Sequence, residues 1–293
     1  MIPAAGGEGP QPSARAPSNA FTVDLEEWFH VCGAGGALSP AQWDGLPARI
    51  QPTTRTLLDL LDHAQVRATF FVVGWIAERY PRLVEEVKHA GHEIGSHGYL
   101  HQRLFEMRPE TLTGDLRTSV EALRAAGVSG VKLFRAPEWS INDRSLWALD
   151  TLVQEGFTLD ASMAPLRLVG SVAYPRCPHL RMTAAGSIVE VPPFVADRLG
   201  QVMPMGWGWG LRMSAPARVL QAIESANHAG IPAVVMVHPW ELDPDPPRVR
   251  LPVRQRFAHY FCLSGFASRL REVLTGTEFG PISSLAAMVT AAA

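Results

Sequence analysis

Short β-rich runs alternate with longer amphipathic runs along most of this chain, and that alternation restricts the fold more than any other feature. "AFTVDLEEWF" (20–29), with its Phe, Thr and Val, reads as a strand. "TTRTLLDLLDHAQ" (53–65) sets apolar residues at 57, 58, 60 and 61, a helical spacing opened by threonines. "ATFFVV" (68–73) is the next strand, and "GWIAERYPRLVEEVKHAG" (74–91) the next helix, closed by Gly91. The rhythm continues through strands at "HEIGSH", "VKLFRAP", "FTLDAS", "SIVEVPP" and "PAVVMVHP", with helices over 108–127, 142–156, 215–230 and 264–275. About seven strands joined in this way predict a parallel sheet covered by helices, doubly wound or closed into a barrel.

Three stretches fall outside the rhythm. Residues 1–19 are rich in Gly, Pro, Ala and Ser, lack the basic and apolar regions of a secretory signal, and read as a flexible leader. Residues 161–212, with their prolines and "PMGWGWG", read as a long loop insertion, and 277–293 as a C-terminal tail. The 293 residues therefore suit one large α/β domain over 20–276. No run of 18 apolar residues is present, so no transmembrane helix is expected. With a formal net charge of −2 and no Lys/Arg cluster singled out, neither nucleic acid nor an anionic membrane is expected as a partner. Cys32, Cys177 and Cys262 lie far apart and form no CxxC, which argues against a disulfide framework and for a reducing, cytoplasmic setting.

The chemically capable residues cluster where strands end: Asp24 and Glu26, His97 and His101, Arg135, Asp160, Glu190 and His238. In α/β barrels the loops after strand C-termini converge on one face, where active sites are built. His97 and His101 are four apart, a spacing that lets two imidazoles share a side of a turn and grip a divalent metal. Asp24 and Glu26 are two apart, so a strand would aim both at the barrel mouth while Leu25 packs behind. Two carboxylates there repel unless a cation or an arginine neutralises them. Arg135 precedes a Pro-fixed turn and could keep a carboxylate ionised; His238 ends an apolar strand and could transfer a proton. Each residue also has an ordinary reading: a surface or core histidine, a solvated acidic strand end, a surface arginine.

Taken together, "TVDLEE", "SHGYLH", "FRAPEW", "LDAS" and "MVHPWELDP", in that order, resemble the motifs of the polysaccharide deacetylases, the NodB-homology group of carbohydrate esterases. The resemblance runs from about residue 20 to 276. It is strongest to the subgroup associated with exopolysaccharide and exosortase systems, through "HPWELDP" and "RFAHY" (256–260). It implies a distorted (β/α)7 barrel, one divalent metal, and metal-assisted removal of an acetyl group from an N-acetylated sugar. By this resemblance Asp24 is the catalytic base and Arg135 its partner. Glu26, His97 and His101 hold the metal, His238 is the catalytic acid, and Asp160 orients it. Trp139, Trp207 and Trp240 are candidate substrate-binding aromatics, with core burial as their ordinary alternative.

Two positions depart from the pattern. Leu25 stands where many members have a second aspartate, which moves the ligand role to Glu26, and Gly98 replaces a Ser or Thr after the first histidine. Zinc is the first expectation for the metal, although two imidazoles and a carboxylate also suit cobalt, nickel or iron. An acid and a base in one site predict a bell-shaped pH profile. The competing readings are an amidohydrolase of the same fold acting on a small or cyclic amide, a binding protein without turnover, and a deacetylase of a lipid- or nucleotide-linked sugar inside the cell.

Overall fold

The computed structural model of the chain describes residues 19–34, 36–198 and 200–292. The expected leader, apart from Asn19, lies outside the described residues. The first half alternates strands with helices, two of them between β2 and β3: β1 (Ala20–Leu25), α1 (Ile50–His63), β2 (Thr69–Val72), α2 (Gly74–Arg79), α3 (Pro81–His89), β3 (Glu93–Ser96), α4 (Pro109–Ala125), β4 (Leu133–Phe134), α5 (Trp147–Gln154) and β5 (Leu159–Asp160). There follow β6 (His179–Thr183), β7 (Gly186–Glu190), β8 (Ala196–Arg198), β9 (Gln201–Met203), α6 (Gly208–Met213), α7 (Pro216–His228), β10 (Val234–Val237), α8 (Val253–Tyr260), α9 (Phe266–Gly276) and α10 (Ile282–Ala292). The single helix expected over 74–91 breaks at Tyr80, which takes an extended φ of −128° before Pro81. A proline lacks the N–H a helix interior needs and disfavours helical backbone in the residue before it.

The main sheet has the order β10-β1-β2-β3-β4-β5-β7-β6. Seven strands are parallel, with β6 antiparallel to β7 at one edge, and the sheet curls into a half-barrel. On the far side of β10, Phe194 N–H donates to Val234 O (2.9 Å) and Met236 N–H to Gly206 O (2.8 Å). These irregular bonds stand where a regular barrel would pair its last strand with its first, so the fold is the distorted (β/α)7 barrel.

Strand parity divides the core. Phe21, Val23, Leu25, Phe70, Val72, Val235 and Val237 face outward into one apolar cluster with Leu57 and Leu61 of α1 and Leu270 and Leu274 of α9. Each such fully buried side chain contributes about 1.5–3 kcal/mol. The alternate residues Thr22, Asp24, Met236 and His238 face inward, which carries polar groups along the barrel interior to its C-terminal mouth.

Two of the outlying stretches take regular structure. The expected loop insertion 161–212 contains the β6–β7 hairpin, of which β7 is a barrel strand, and then β8, β9 and α6. The expected tail 277–293 contains α10, whose Ile282 and Leu285 are fully buried with Ala20, Phe71 and Val234. Ile282 N–H also donates to Thr69 Oγ1 at 2.8 Å, so α10 closes the barrel floor. Its run of small and apolar residues shows no clear amphipathic stripe because one side meets the barrel and little of it is charged. No helix among the described residues is long and apolar enough to cross a membrane.

Candidate active site

β1 delivers Glu26 just past its last residue, and β3 delivers His97 likewise. Glu26, His97 and His101 are all buried and each offers a ligand atom, the three lying within 4.8 Å of one another. His97 Nδ1 donates to Arg135 O (2.8 Å), which leaves its Nε2 lone pair facing the cluster. His101 Nδ1 lies 3.5 Å from Cys32 Sγ, and its Nε2 likewise faces Glu26. Residues 98–101 do not form the helical turn that an i, i+4 pair invites: Gly98 has φ +72° and His101 φ +50°. Asp115 of α4 holds this bend by accepting the N–H groups of Tyr99 (2.8 Å) and Leu100 (3.1 Å). A side chain at Gly98 would adopt a disfavoured backbone and bring its Cβ to 2.9 Å from Asp115 Oδ2, which explains the glycine there.

This donor set fits a divalent cation. Glu26 Oε1 accepts from Trp240 Nε1 (3.1 Å), whereas its Oε2 is buried without a hydrogen-bond partner among the described residues. That oxygen lies 2.5 Å from His101 Nε2, a distance two bare lone pairs cannot tolerate, so a proton or a cation belongs between them. Burial disfavours the charged Glu26, but the imidazoles of His101, His238 and His97 outweigh it and hold the carboxyl well below its usual range. Burial lowers His97 to about 4, keeping a neutral imidazole of the kind metals bind.

Two ion-paired groups flank the cluster. Asp24 Oδ1 accepts from the Arg135 guanidinium (2.8 Å), while its Oδ2 lies 3.8 Å from His97 Nε2. Arg135 is fully buried, also reaches Thr22 Oγ1 (2.9 Å), and stacks between the rings of Phe71 and Trp139. At the other end, His238 Nε2 lies 3.5 Å from Glu26 Oε1. Burial opposes a charge on His238, but Glu26 and then Glu241 push it up to about 9.

The residue orienting His238 is Glu241, not Asp160. A 3-10 turn over Pro239–Leu242 follows β10, and in such a turn residues three apart eclipse. Glu241 Oε2 therefore accepts His238 N–H (2.9 Å) and meets His238 Nδ1 at 3.2 Å. Its Oε1 pairs with Arg212 Nε at 2.9 Å, and both side chains are buried. Asp160 fails on parity: Leu159 and Ala161 face the interior, so Asp160 faces the helices, where it binds Ser162 Oγ (2.5 Å). Glu190 lies opposite it in register and accepts Met163 N–H (2.9 Å), away from the mouth.

Asp24, Glu26, His97, His101, His238 and Glu241 line a cavity of about 280 Å³ walled by Trp139, Trp207, Trp209 and Trp240. Trp139 stacks on Trp207 with centroids 5.0 Å apart, so the three expected aromatics are both buried and at the cavity wall. Reading the sequence missed Glu241, Arg212 and His30. His30 lines the same cavity with its Nε2 unpartnered among the described residues. Glu241 had a signal, since it stands three residues after His238 inside "HPWELDP"; Arg212 had none. Glu27 is buried too, its Oε1 accepting the N–H groups of Arg49 and Ile50 at the start of α1.

Residues 42–155, which carry His97, His101 and Arg135, match the polysaccharide deacetylase family profile. In sequence this region is similar to the polysaccharide deacetylases. Residues 161–287 match a domain of unknown function (DUF3473), and that part carries His238, Glu241 and Arg212. The chain is 29% identical over 119 residues to a peptidoglycan-N-acetylglucosamine deacetylase of Bacillus cereus, a match covering 36% of this chain and 43% of the relative. It is 33% identical over 112 residues to chitin deacetylase 1 of Saccharomyces cerevisiae, covering 34% and 36%. It thus spans about two fifths of the length of these curated relatives. A crystal structure from Mycobacterium smegmatis assigned to the polysaccharide deacetylases superposes over 98% of this chain and 95% of its own, with TM-score 0.62 and 24% identity. That likeness establishes the shared fold.

Proposed function

We propose that this chain is a metal-dependent hydrolase that removes the N-acetyl group of an amino sugar, in a polysaccharide or its intracellular precursor. The observation that carries the reading is the arrangement of two pairs, Asp24–Arg135 beside His97 and His238–Glu241 beside Glu26, around a three-residue donor cluster. Glu26, His97 and His101 would hold the cation, with zinc the first choice. When bound, a divalent cation polarises an amide carbonyl and acidifies water.

The chain's own residues supply the proton transfers. Asp24, fixed by Arg135, accepts a proton from the attacking water, whose oxygen bonds to the acyl carbon. His238, oriented by Glu241, donates a proton to the sugar nitrogen as the C–N bond breaks, releasing acetate and a free amine. Arg135 keeps Asp24 pointed into the mouth. Trp139, Trp207 and Trp240 line the cavity a sugar would enter, and the relatives' names point to N-acetylglucosamine polymers as the substrate class. The exopolysaccharide association rests on the "HPWELDP" and "RFAHY" segments. The three free cysteines accord with a cytoplasmic setting.

Acetate release from N-acetylglucosamine oligomers and from small cyclic amides, measured with the metal-loaded protein and its Asp24→Asn variant, tests this reading. Turnover of the oligomers that Asp24→Asn abolishes supports it; turnover of the cyclic amides alone would replace it with the amidohydrolase reading.

A further inference from the structure

Helix α8 has two faces with opposite surroundings. Gln255, Ala258 and His259 line the catalytic cavity. Val253, Phe257 and Phe261, spaced four apart and therefore on one stripe, are 73%, 48% and 44% exposed. The rings of Phe257 and Phe261 stack at 4.4 Å, which makes one continuous apolar ridge of the pair. Single exposed apolar residues are ordinary, but a stripe of three on one helix at the rim of a cavity marks an interaction surface.

The charge around the stripe is one-sided. Between Asp245 and Glu272 the chain has no acidic residue and six arginines. Arg250 and Arg256 are exposed and have no hydrogen bond or ion pair from their side chains among the described residues. The overall charge of −2 conceals this run, and the expectation that no basic cluster exists is corrected by it. An apolar stripe with Phe at its centre and free arginines at its margin is the pattern of a helix that lies in the interface of an anionic bilayer. A free phosphate has no use for the apolar ridge, and the aliphatic Val253, its most exposed member, offers a nucleic-acid base nothing to stack on.

We infer that α8 docks this protein on an anionic lipid bilayer surface, with Phe257 and Phe261 entering the interface and Arg250 and Arg256 meeting lipid phosphates. The opposite face of the same helix then places the cavity rim at the membrane, where a lipid-carried sugar would be presented. Arg212 makes the placement rigid, since it binds the carbonyls of Ala258 (2.5 Å) and Phe261 (2.6 Å) and also pairs with Glu241. The catalytic histidine's partner is thereby tied to the docking helix. The substrate consequence rests on the deacetylase reading; the docking itself does not.

Sedimentation of the full chain with vesicles of phosphatidylcholine, with and without phosphatidylglycerol, tests it. Binding is expected to the anionic vesicles only and to weaken as salt rises. Neutralising two cations in Arg250→Gln/Arg256→Gln lowers the partition coefficient roughly 25-fold, about fivefold per arginine. Phe257→Ser lowers it at least about tenfold. Both variants keep wild-type turnover of a small soluble substrate. Equal binding to both vesicle types, or variants that bind like the wild type, would overturn the inference. So would loss on arginine replacement with Phe257→Ser unchanged, which is plain polyanion binding, or a dimer abolished by Phe257→Ser without vesicle binding. Because sedimentation needs no turnover, failure of the deacetylase reading leaves this result interpretable.

Discussion

Glu241 stands three residues after His238 and shares its two oxygens between that imidazole, at 3.2 Å, and the Arg212 guanidinium, at 2.9 Å. The imidazole is thus held at Nδ1, with Nε2 turned to the donor cluster, 3.5 Å from Glu26 Oε1. Replacing Glu241 with Gln keeps the volume and the possibility of a hydrogen bond but removes the charge. We expect kcat to fall about 10²-fold with KM changed less than about threefold, because proton transfer by a positioned group is worth roughly 10²–10⁴. Steady-state kinetics at matched thermal stability checks it, and an unchanged kcat would remove Glu241 from the mechanism.

Gly208 opens α6 against the same carboxylate. A Cβ built there would overlap both Glu241 oxygens and its carboxyl carbon. Gly208→Ala should displace Glu241 and reproduce the kinetic loss of Glu241→Gln, while circular dichroism stays native. Full activity in Gly208→Ala would mean that the carboxylate can relocate without consequence.

Asp24→Asn should lower kcat by about 10²–10⁴ while leaving the metal content intact, since Asp24 is placed beside the donor cluster rather than in it. Asp24→Ala should also destabilise by about 3–5 kcal/mol, because Arg135 would then be a fully buried cation without its carboxylate. Chemical denaturation separates the two effects: the Asn variant, which keeps an acceptor for Arg135, loses activity far more than stability.

His97→Ala should abolish stoichiometric binding of zinc, and chelation of the wild type should lower its melting temperature, restored on adding the metal back. Elemental analysis and calorimetry read this without any substrate. A melting temperature indifferent to chelator would argue that the cluster holds no cation.

Away from the mouth, His92 is buried and accepts Ala68 N–H at 3.1 Å through Nδ1. Burial, reinforced by the charge of Arg67, pushes it down to about 4. The unfolded chain therefore binds a proton below about 6.5 that the folded chain refuses until about 4, so stability rises with pH across that window. Denaturant midpoints should fall as pH drops from 6.5 towards 4, and His92→Gln should flatten the slope.

Much of this arrangement was legible because strand period and βα alternation are local properties of the chain. Asp24 and Glu26 two apart, and His238 at the end of an apolar run, already pointed to one mouth. Asp160 was misjudged for a local reason as well: its strand has two residues, Leu159 and Asp160, too short for the pattern to show which faces inward. What the pattern could not carry was contact between remote segments. Arg212 reaches Glu241 from a helix embedded in glycines and tryptophans, and no periodicity announces that pairing. The α10 floor was hidden similarly, since its partners Ala20, Phe71 and Val234 lie far away in the chain.

β1 is laid between β2 and β10, and it supplies both Asp24 and Glu26. Its register with Val234–Val237 joins residues more than two hundred positions apart. During synthesis β1 therefore stays unpaired along one edge until β10 has emerged. The mouth is thereby completed in a single late event, and a translation product that stops short of residue 238 lacks the His238–Glu241 pair entirely.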